Sequence, residues 1–241
     1  MYAAGPGIRK FIMSRSTLTL SGETVDRARI EALLAGDALL VLEDCDLAGA
    51  DLSRLNLQEC AFVRCALSET SFYAANLART RWQRCRGGHA DFESADLVDA
   101  RFEACDLNNA GWRRAKLASA LFRGCKLTGA HFEDVSQLGL AFEDCLLVGA
   151  DLRRMSFRKA TLRGLDFAEA DLAGCDFRDA VFAEGCSLRD AHIKDTRFDA
   201  ADLREADLGG LKLGNAKQFA GATISPRQAA ELVRGLGLNV A

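Results

Sequence analysis

From Leu42 onward a large apolar residue recurs at every fifth position. The series runs Leu42, Leu47, Leu52, Leu57, Phe62, Leu67, Phe72, Leu77, Trp82 and continues in phase to Phe177 and Phe182. Only Gly87 and Gln137 break it. One extra residue within 183–187 (AEGCS) shifts the phase, and the series resumes at Leu188, Ile193, Phe198, Leu203, Leu208 and Leu213. Two residues before each centre stands a small or compact residue, such as Cys45, Ala50, Cys60, Cys65, Thr70 or Ala75. The residue between is often Asp or Asn, so the unit is A-(D/N)-L-x-x.

A period of five fits neither common element. A helix turns about 100° per residue, so positions five apart drift by about 140° and form no stripe. An extended strand needs a period of two. The small residue and the centre, two apart, share a face, and the next small residue three further on breaks the alternation. The chain therefore turns once per unit, which with one inward face builds a solenoid. Cysteines set the size of a coil: Cys45, Cys65, Cys85, Cys105, Cys125 and Cys145 are spaced twenty apart, and Cys186 rejoins that column after the slip. Four units per coil stack them in one row, with Phe62, Trp82, Phe102, Phe122, Phe142 and Phe182 in another. The segment EDCDLAGADL at 43–52 returns as EDCLLVGADL at 143–152, five coils later. At about 4.8 Å per coil, roughly nine coils make a rod about 40 Å long. Both prolines, Pro6 and Pro226, lie outside the repeats, where no ladder N–H is needed.

The ends differ from the rod. Residues 1–20 read as an N-terminal extension, with Met13 a candidate internal start. Residues 21–41 read as a capping helix, with Ser21 or Thr24 as its N-cap, Gly36 at its end, and Ile30, Leu33 and Leu34 covering the open coil. The repeats occupy 42–222. Residues 223–241 form a C-terminal helix and tail: Ser225-Pro226-Arg227-Gln228 is a capping box with proline at the first helical position. The apolar residues Leu232, Val233, Leu236, Leu238 and Val240 exceed what one helix face can bury on the last coil. They point to a homodimer through this tail, with a lid folded on its own coil as the alternative.

Composition narrows the chemistry. The formal net charge is −3, which gives no electrostatic reason for nucleic-acid binding. No apolar run approaches the ~20 residues of a membrane span, and the N-terminus lacks the apolar core of a signal peptide. The protein is expected in the cytoplasm, where nine cysteines do not imply disulfides. All nine occupy the small inward position, alternating with Ala, Thr and Leu, which is the behaviour of a compact core residue. A straight column cannot surround a tetrahedral metal, and no C-x-x-C occurs. His89, His131 and His192 share no ligand or triad spacing. With no P-loop, nucleophile elbow or dinucleotide fingerprint, neither enzymatic activity nor a cofactor or metal is expected.

The in-phase units over 42–213 resemble those of the pentapeptide-repeat proteins, whose fold is a right-handed quadrilateral β-helix, an all-β solenoid. The C-terminal stretch ADLREADLGGLKL, with a helix ending LVRGLGLNV, resembles the end of the quinolone-resistance (Qnr-type) members and their mycobacterial relatives. That resemblance implies a dimer joined through C-terminal ends and a rod that binds DNA gyrase or topoisomerase IV in place of DNA. It implies resistance to a topoisomerase poison such as a quinolone or albicidin. Enterobacterial Qnr members carry inserted loops; here the phase is unbroken from 42 to 182, so the chain looks closer to the loop-poor members.

Charge locates the surface such mimicry needs. Residues 42–213 hold 29 Asp and Glu against 23 Lys and Arg, so the rod is the acidic part of the chain. Asp51, Asp91, Asp151 and Asp171 are expected to stack on one side, and Asp190, Asp195, Asp199 and Asp202 to lie near the dimer centre. Regularly spaced carboxylates imitate phosphates before a basic DNA-binding surface. The competing explanation is that Asp before the centre recurs for reasons of fold, and Arg113, Arg114, Arg153 and Arg154 interrupt the same side. The second functional reading is an interaction scaffold with a different protein partner.

Overall fold

The structure, a computed structural model, describes residues 16–36, 38–212, 215–235 and 237–240. The first strand, β1 (Thr17–Ser21), pairs in parallel with β2 (Leu39–Glu43). One short strand per coil follows on the same face: β3 (Ala61–Val63), β4 (Arg81–Gln83), β5 (Arg101–Glu103), β6 (Leu121–Arg123), β7 (Ala141–Glu143), β8 (Thr161–Leu162) and β9 (Val181–Phe182). From β2 to β7 the register steps by twenty residues: Leu42 opposite Phe62, Phe62 opposite Trp82, Trp82 opposite Phe102. The other three faces are joined by single parallel bridges with the same step, such as Asp46 to Ala66, Asp51 to Ser71 and Asn56 to Asn76. Four faces of five residues are the quadrilateral coil that the spacing predicts.

The five-residue unit follows from one backbone event. In most units the second residue after the centre is left-handed, as at Arg54 (φ 60°), Glu59 (φ 65°), Arg64 (φ 54°) and Glu69 (φ 58°). For a residue with a Cβ this conformation costs about 1–2 kcal/mol. Hydrogen bonds to the next coil hold it: the N–H groups of Arg54, Glu59 and Arg64 donate to Tyr73, Ala78 and Gln83 carbonyls at 2.8–2.9 Å.

Inside, the centres stack on their equivalents. Phe62, Trp82, Phe102 and Phe122 lie ring on ring, with centroids 3.9, 5.4 and 4.6 Å apart. The opposite face carries a second stack, Phe72, Phe92, Trp112 and Phe132, at 5.0, 4.2 and 5.6 Å. The two stacks meet edge to face across the rod, as between Phe72 and Trp82 at 88°. Both geometries are favoured by the ring quadrupole. At Gly87 the missing side chain is replaced by Leu107 and Leu67, which lie 2.9 and 3.4 Å from where a Cβ would stand.

The cysteines are buried and free. The thiols of Cys65, Cys85 and Cys145 donate to the carbonyls of Leu42, Phe62 and Phe122 on the preceding coil at 3.3–3.4 Å. Thr70 and Thr196 make the equivalent bond with their hydroxyls, both at 2.7 Å. The position thus takes a compact side chain with one donor aimed down the column, which is why Cys and Thr alternate there with Ala. Burial pushes the Cys60 thiol up to about 11 and that of Cys175 up to about 12, so neither is a nucleophile at neutral pH.

Two departures from the sequence reading have physical causes. The coiled region begins earlier, because residues 17–20 of the expected extension and Ser21 of the expected helical segment form β1. Its register to β2 steps by twenty-two residues, as Leu20 opposite Leu42, so a search at period five passes over it. Ser21 and Thr24 are tied to Glu43 and Asp46 in that ladder, and the N-cap of helix α1 (Arg27–Leu34) is instead Asp26, which accepts from the Arg29 N–H at 2.8 Å. Ile30 is fully buried on the open coil, with Leu33 and Leu34 packed against it, as expected of a lid. The bridges that span the slip, from Asp166–Ser187 to Val181–Asp202, step by twenty-one before Ser187–Asp207 returns to twenty, and Gly185 (φ 84°) absorbs the extra residue against the Gly164 backbone.

The break that the sequence shows at Gln137 is an opening of the ladder. The polar side chain leaves the core and its Oε1 accepts from the Ser156 N–H at 3.0 Å. That amide's counterparts, Asn76 and Asp176, donate to backbone carbonyls instead, and no strand pairing links β7 to β8. Leu138 is 83% exposed, and the ring stack breaks, with Phe142 and Phe157 tilted by 47°.

A single polar atom tests this packing. The Trp82 Nε1–H donates to Thr80 Oγ1 at 2.9 Å, whereas the buried Trp112 Nε1 has no partner, because Ala110 stands where Thr80 does. Ala110→Thr is expected to supply the acceptor and raise stability by about 1 kcal/mol, read from the urea midpoint. A variant less stable than the parent would show that the column has no room there.

Candidate functional site

The candidate functional surfaces are the faces of the rod. Asp51, Asp91, Asp151 and Asp171 stand in one column, in the bridge order Asp51, Ser71, Asp91, Gly111, His131, Asp151, Asp171, His192. Only Asp151 and Asp171 are on adjacent coils. Asp190 and Asp195 occupy left-handed corners on either side of His192, so they extend this face. Asp199 and Asp202, expected with them toward the C-terminal end, are on other faces. Asp202 bridges Val181 and Thr223 on the strand-bearing face, and Asp199 sits beside Arg197 at 3.3 Å. The structure therefore assembles six of the eight acidic residues and leaves two on other sides.

The column residue is acidic partly for a local reason. Asp51, Asp91 and Asp171 each accept with Oδ1 from the N–H two residues on (Ser53, Glu93, Ala173) at 2.8–3.0 Å. Asp46, Asp96 and Asp166 do the same on the other faces. This Asx turn steadies the corner after each centre, and it explains the Asp or Asn of the repeat without any ligand.

Much of the negative charge is also neutralised. Arg153 clasps Asp151 with Nε and Nη2 at 2.8 and 2.6 Å and lies 3.7 Å from Asp171. Arg178 and Arg204 hold Asp176 and Asp202 in the same bidentate way. Arg27 of α1 approaches Asp51 at 3.8 Å. Across coils, Arg79 meets Glu59, Arg114 meets Glu93, Lys116 meets Asp96, Arg123 meets Glu143 and Arg189 meets Asp207, at 2.6–3.3 Å. The surface is a patchwork in which basic residues of one coil sit against acids of the next. Asp91, Asp190 and Asp195 make no ion pair among the described residues. Asp190 and Asp195 line a shallow cleft of about 550 Å³ with His192, Lys194 and Lys212.

The C-terminal end is built around Gln228. Its amide donates to the Leu203 and Ala206 carbonyls, each at 2.7 Å, and its Oε1 accepts from the N–H and Oγ of Ser225. The capping box expected at 225–228 thus also satisfies the last coil, and fixes helix α2 (Pro226–Gly235) on it. Leu232 is partly buried against its own core and lines an apolar depression of about 230 Å³ with Leu203, Leu208, Leu211, Phe219 and Ile224. Val233 is half-buried, Leu238 and Val240 are exposed, and Leu236 lies outside the described residues, as does Leu213 of the repeat series. Of the expected dimer residues, Leu232 serves the lid and the tail residues Leu238 and Val240 are left facing solvent. Among the described residues no group of His, Cys, Asp and Glu is arranged to hold a metal, and no helix is long and apolar enough to cross a membrane.

These pairings set an acid limit. The arginine hydrogen bonds to Asp151, Asp176 and Asp202 hold their carboxyls below the ordinary value of 3.8. A depressed folded-state value stabilises above the unfolded value, and the contribution is lost as pH falls through the lowered one. The urea midpoint is expected to be level from pH 7 to about 4.5 and to fall below about 3.8. In Asp151→Asn/Asp176→Asn/Asp202→Asn that acid limb should be shallower; an unchanged limb would show that these pairs contribute nothing to it.

The family model described as a pentapeptide repeat region matches residues 41–112. Models for pentapeptide repeats of eight and nine copies match 95–134, 141–172 and 157–206. The six unmatched residues between 134 and 141 are those where Gln137 opens the ladder. No curated protein matches the sequence significantly. Among solved structures, a trypsin-treated variant of QnrB1, a plasmid-mediated fluoroquinolone resistance protein, is similar over 94% of this chain and 99% of its own. The TM-score is 0.65 and the identity 21%. Full-length QnrB1 is similar over 93% and 99%, with a TM-score of 0.60 and 22% identity. At that identity the likeness is one of fold. Repeat phase, four-faced coil and family matches agree, and the chain belongs to the pentapeptide-repeat family.

Proposed function

We propose that this rod is a protein-binding module that modulates a type II topoisomerase, DNA gyrase or topoisomerase IV, by occupying the surface that otherwise holds DNA. The observation that carries the reading is the agreement of fold with QnrB1 from one end of the chain to the other, since QnrB1 is a fluoroquinolone resistance protein. The face bearing Asp51, Asp91, Asp151, Asp171, Asp190 and Asp195 is the contact surface in this proposal, with the unpaired carboxylates Asp91, Asp190 and Asp195 the strongest mimics of phosphate. A homodimer through the C-terminal tail extends the rod, with Leu238 and Val240 as the contact.

The scaffold reading, with another protein as partner, is favoured by one observation: the cross-coil arginine–carboxylate pairs leave a broken acidic surface rather than a continuous stripe. The two readings separate in a supercoiling assay with purified gyrase, with and without a fluoroquinolone or albicidin. Micromolar protein is expected to inhibit supercoiling or restore it against the drug. Asp91→Lys/Asp195→Lys is expected to reduce that effect about tenfold. If the folded protein neither inhibits nor protects, the topoisomerase reading fails.

The dimer is tested by light scattering. The parent chain is expected at twice its 26.1 kDa mass, and Leu238→Glu/Val240→Glu at the monomer mass. A monomeric parent leaves the tail as a lid alone.

A further inference from the structure

One strip of the rod breaks the rule of cross-coil neutralisation. Residues 70–90 contain four arginines, Arg79, Arg81, Arg84 and Arg86, and no Asp or Glu. Arg79 is paired with Glu59 of the preceding coil. Arg81, Arg84 and Arg86 are exposed and make no ion pair among the described residues. On β4 and β5, Arg81 stands directly opposite Arg101 in the parallel ladder. The Arg101 guanidinium donates to the Ala100 and Ser119 carbonyls, so it is held in place without being neutralised. Like charges facing each other across a ladder are destabilising. Nothing in the fold asks for them, because Val41, Ala61, Leu121 and Ala141 fill the same column.

The strip has a partly apolar neighbour. A shallow depression of about 410 Å³ runs beside Arg79 and Arg81 and is lined by Leu39, Val41 and Ala61, with Glu59 and Thr17 at its edge. Arginine beside apolar surface suits a carboxylate-bearing segment that also carries a large apolar side chain: guanidinium groups take carboxylates bidentately, and the depression takes the apolar group.

We propose that the strand-bearing face at Arg81 and Arg101, with the adjoining corner at Arg84 and Arg86 of the next face, docks an acidic, partly apolar segment of a partner protein. The basic surface is too short for a nucleic acid. Glu43 and Asp44 border it on one side and Glu103 and Asp106 on the other, so a longer polyanion runs onto carboxylates of its own sign. This surface belongs to a different side of the rod from the Asp51 column, and the proposal does not depend on the topoisomerase reading.

The probe is a fluorescein-labelled peptide of Glu-Glu-Leu repeats, read by fluorescence anisotropy with the full chain at low salt. Binding is expected, and it should weaken at least about tenfold in Arg81→Glu/Arg101→Glu. Lys159→Glu/Arg163→Glu, an equal charge change elsewhere on the rod, should stay within about twofold. A Glu-Glu-Gly peptide of the same charge should bind more weakly, because it has nothing to place on Val41 and Ala61. Thermal melts establish that each variant is folded, and Arg81→Gln/Arg101→Gln replaces the glutamate pair if that one is not. Absence of binding, equal loss in the control pair, or equal affinity for the leucine and glycine peptides would overturn the proposal. So would tighter binding of oligothymidylate of matching charge, which would assign the strip to nucleic acid.

Discussion

Each coil is held to the next by backbone hydrogen bonds between residues about twenty apart, and the rest of the molecule follows from keeping that register. The ladder demands that every coil have the same perimeter, so the chain turns four times in twenty residues. Most turns are made with a left-handed residue whose N–H bonds to the next coil. Because equivalent positions then lie one above another, each inward column stacks like on like, and the rings of Phe62, Trp82 and Phe102 become a continuous pile. Where the perimeter changes, at the extra residue near Gly185, the register moves to twenty-one and the coil still closes. Where an inward residue is unsuitable, at Gln137, the ladder opens.

The same register governs the outside. A charge on one coil meets whatever the next coil presents at the same position, about 4.8 Å away, so acid and base are set against each other along the rod. Such exposed pairs are each worth about 0–1 kcal/mol, too little to hold the fold, but they decide where charge is left over. Left-over negative charge is found at Asp91, Asp190 and Asp195, and left-over positive charge at Arg81 on the strand face and at Arg84 and Arg86 around the adjoining corner. A rod of low net charge thereby acquires two surfaces of opposite character on different sides.

A solenoid has open ends that would expose apolar core and unpaired backbone. At one end α1 lays Ile30 on the first coil. At the other, a single side chain, Gln228, meets the carbonyls of Leu203 and Ala206 while closing the cap of its own helix. That lid uses Leu232 for the rod itself, which leaves Leu238 and Val240 of the expected dimer surface facing solvent.

The repeat was legible because a period of five in large residues, with compact residues two before them, has one stacked solution. The twenty-residue cysteine spacing then gave the number of faces. The column of Asp51, Asp91, Asp151 and Asp171 followed by arithmetic. Asp199 and Asp202, grouped with Asp190 and Asp195 by nearness to the C-terminal end, fall on other faces, because the chain travels more than half a coil between Asp190 and Asp202. The first coil was hidden because α1 intervenes between β1 and β2 and changes the step to twenty-two. Sequence alone determined the coil, its inward columns and the capping box, since these depend on local spacing that any stacked arrangement preserves. Only the tertiary structure decided which charges are cancelled, which arginines remain free, and that Gln137 opens the ladder. Those outcomes depend on what stands one coil away, and on whether a side chain of a given length and polarity fits there.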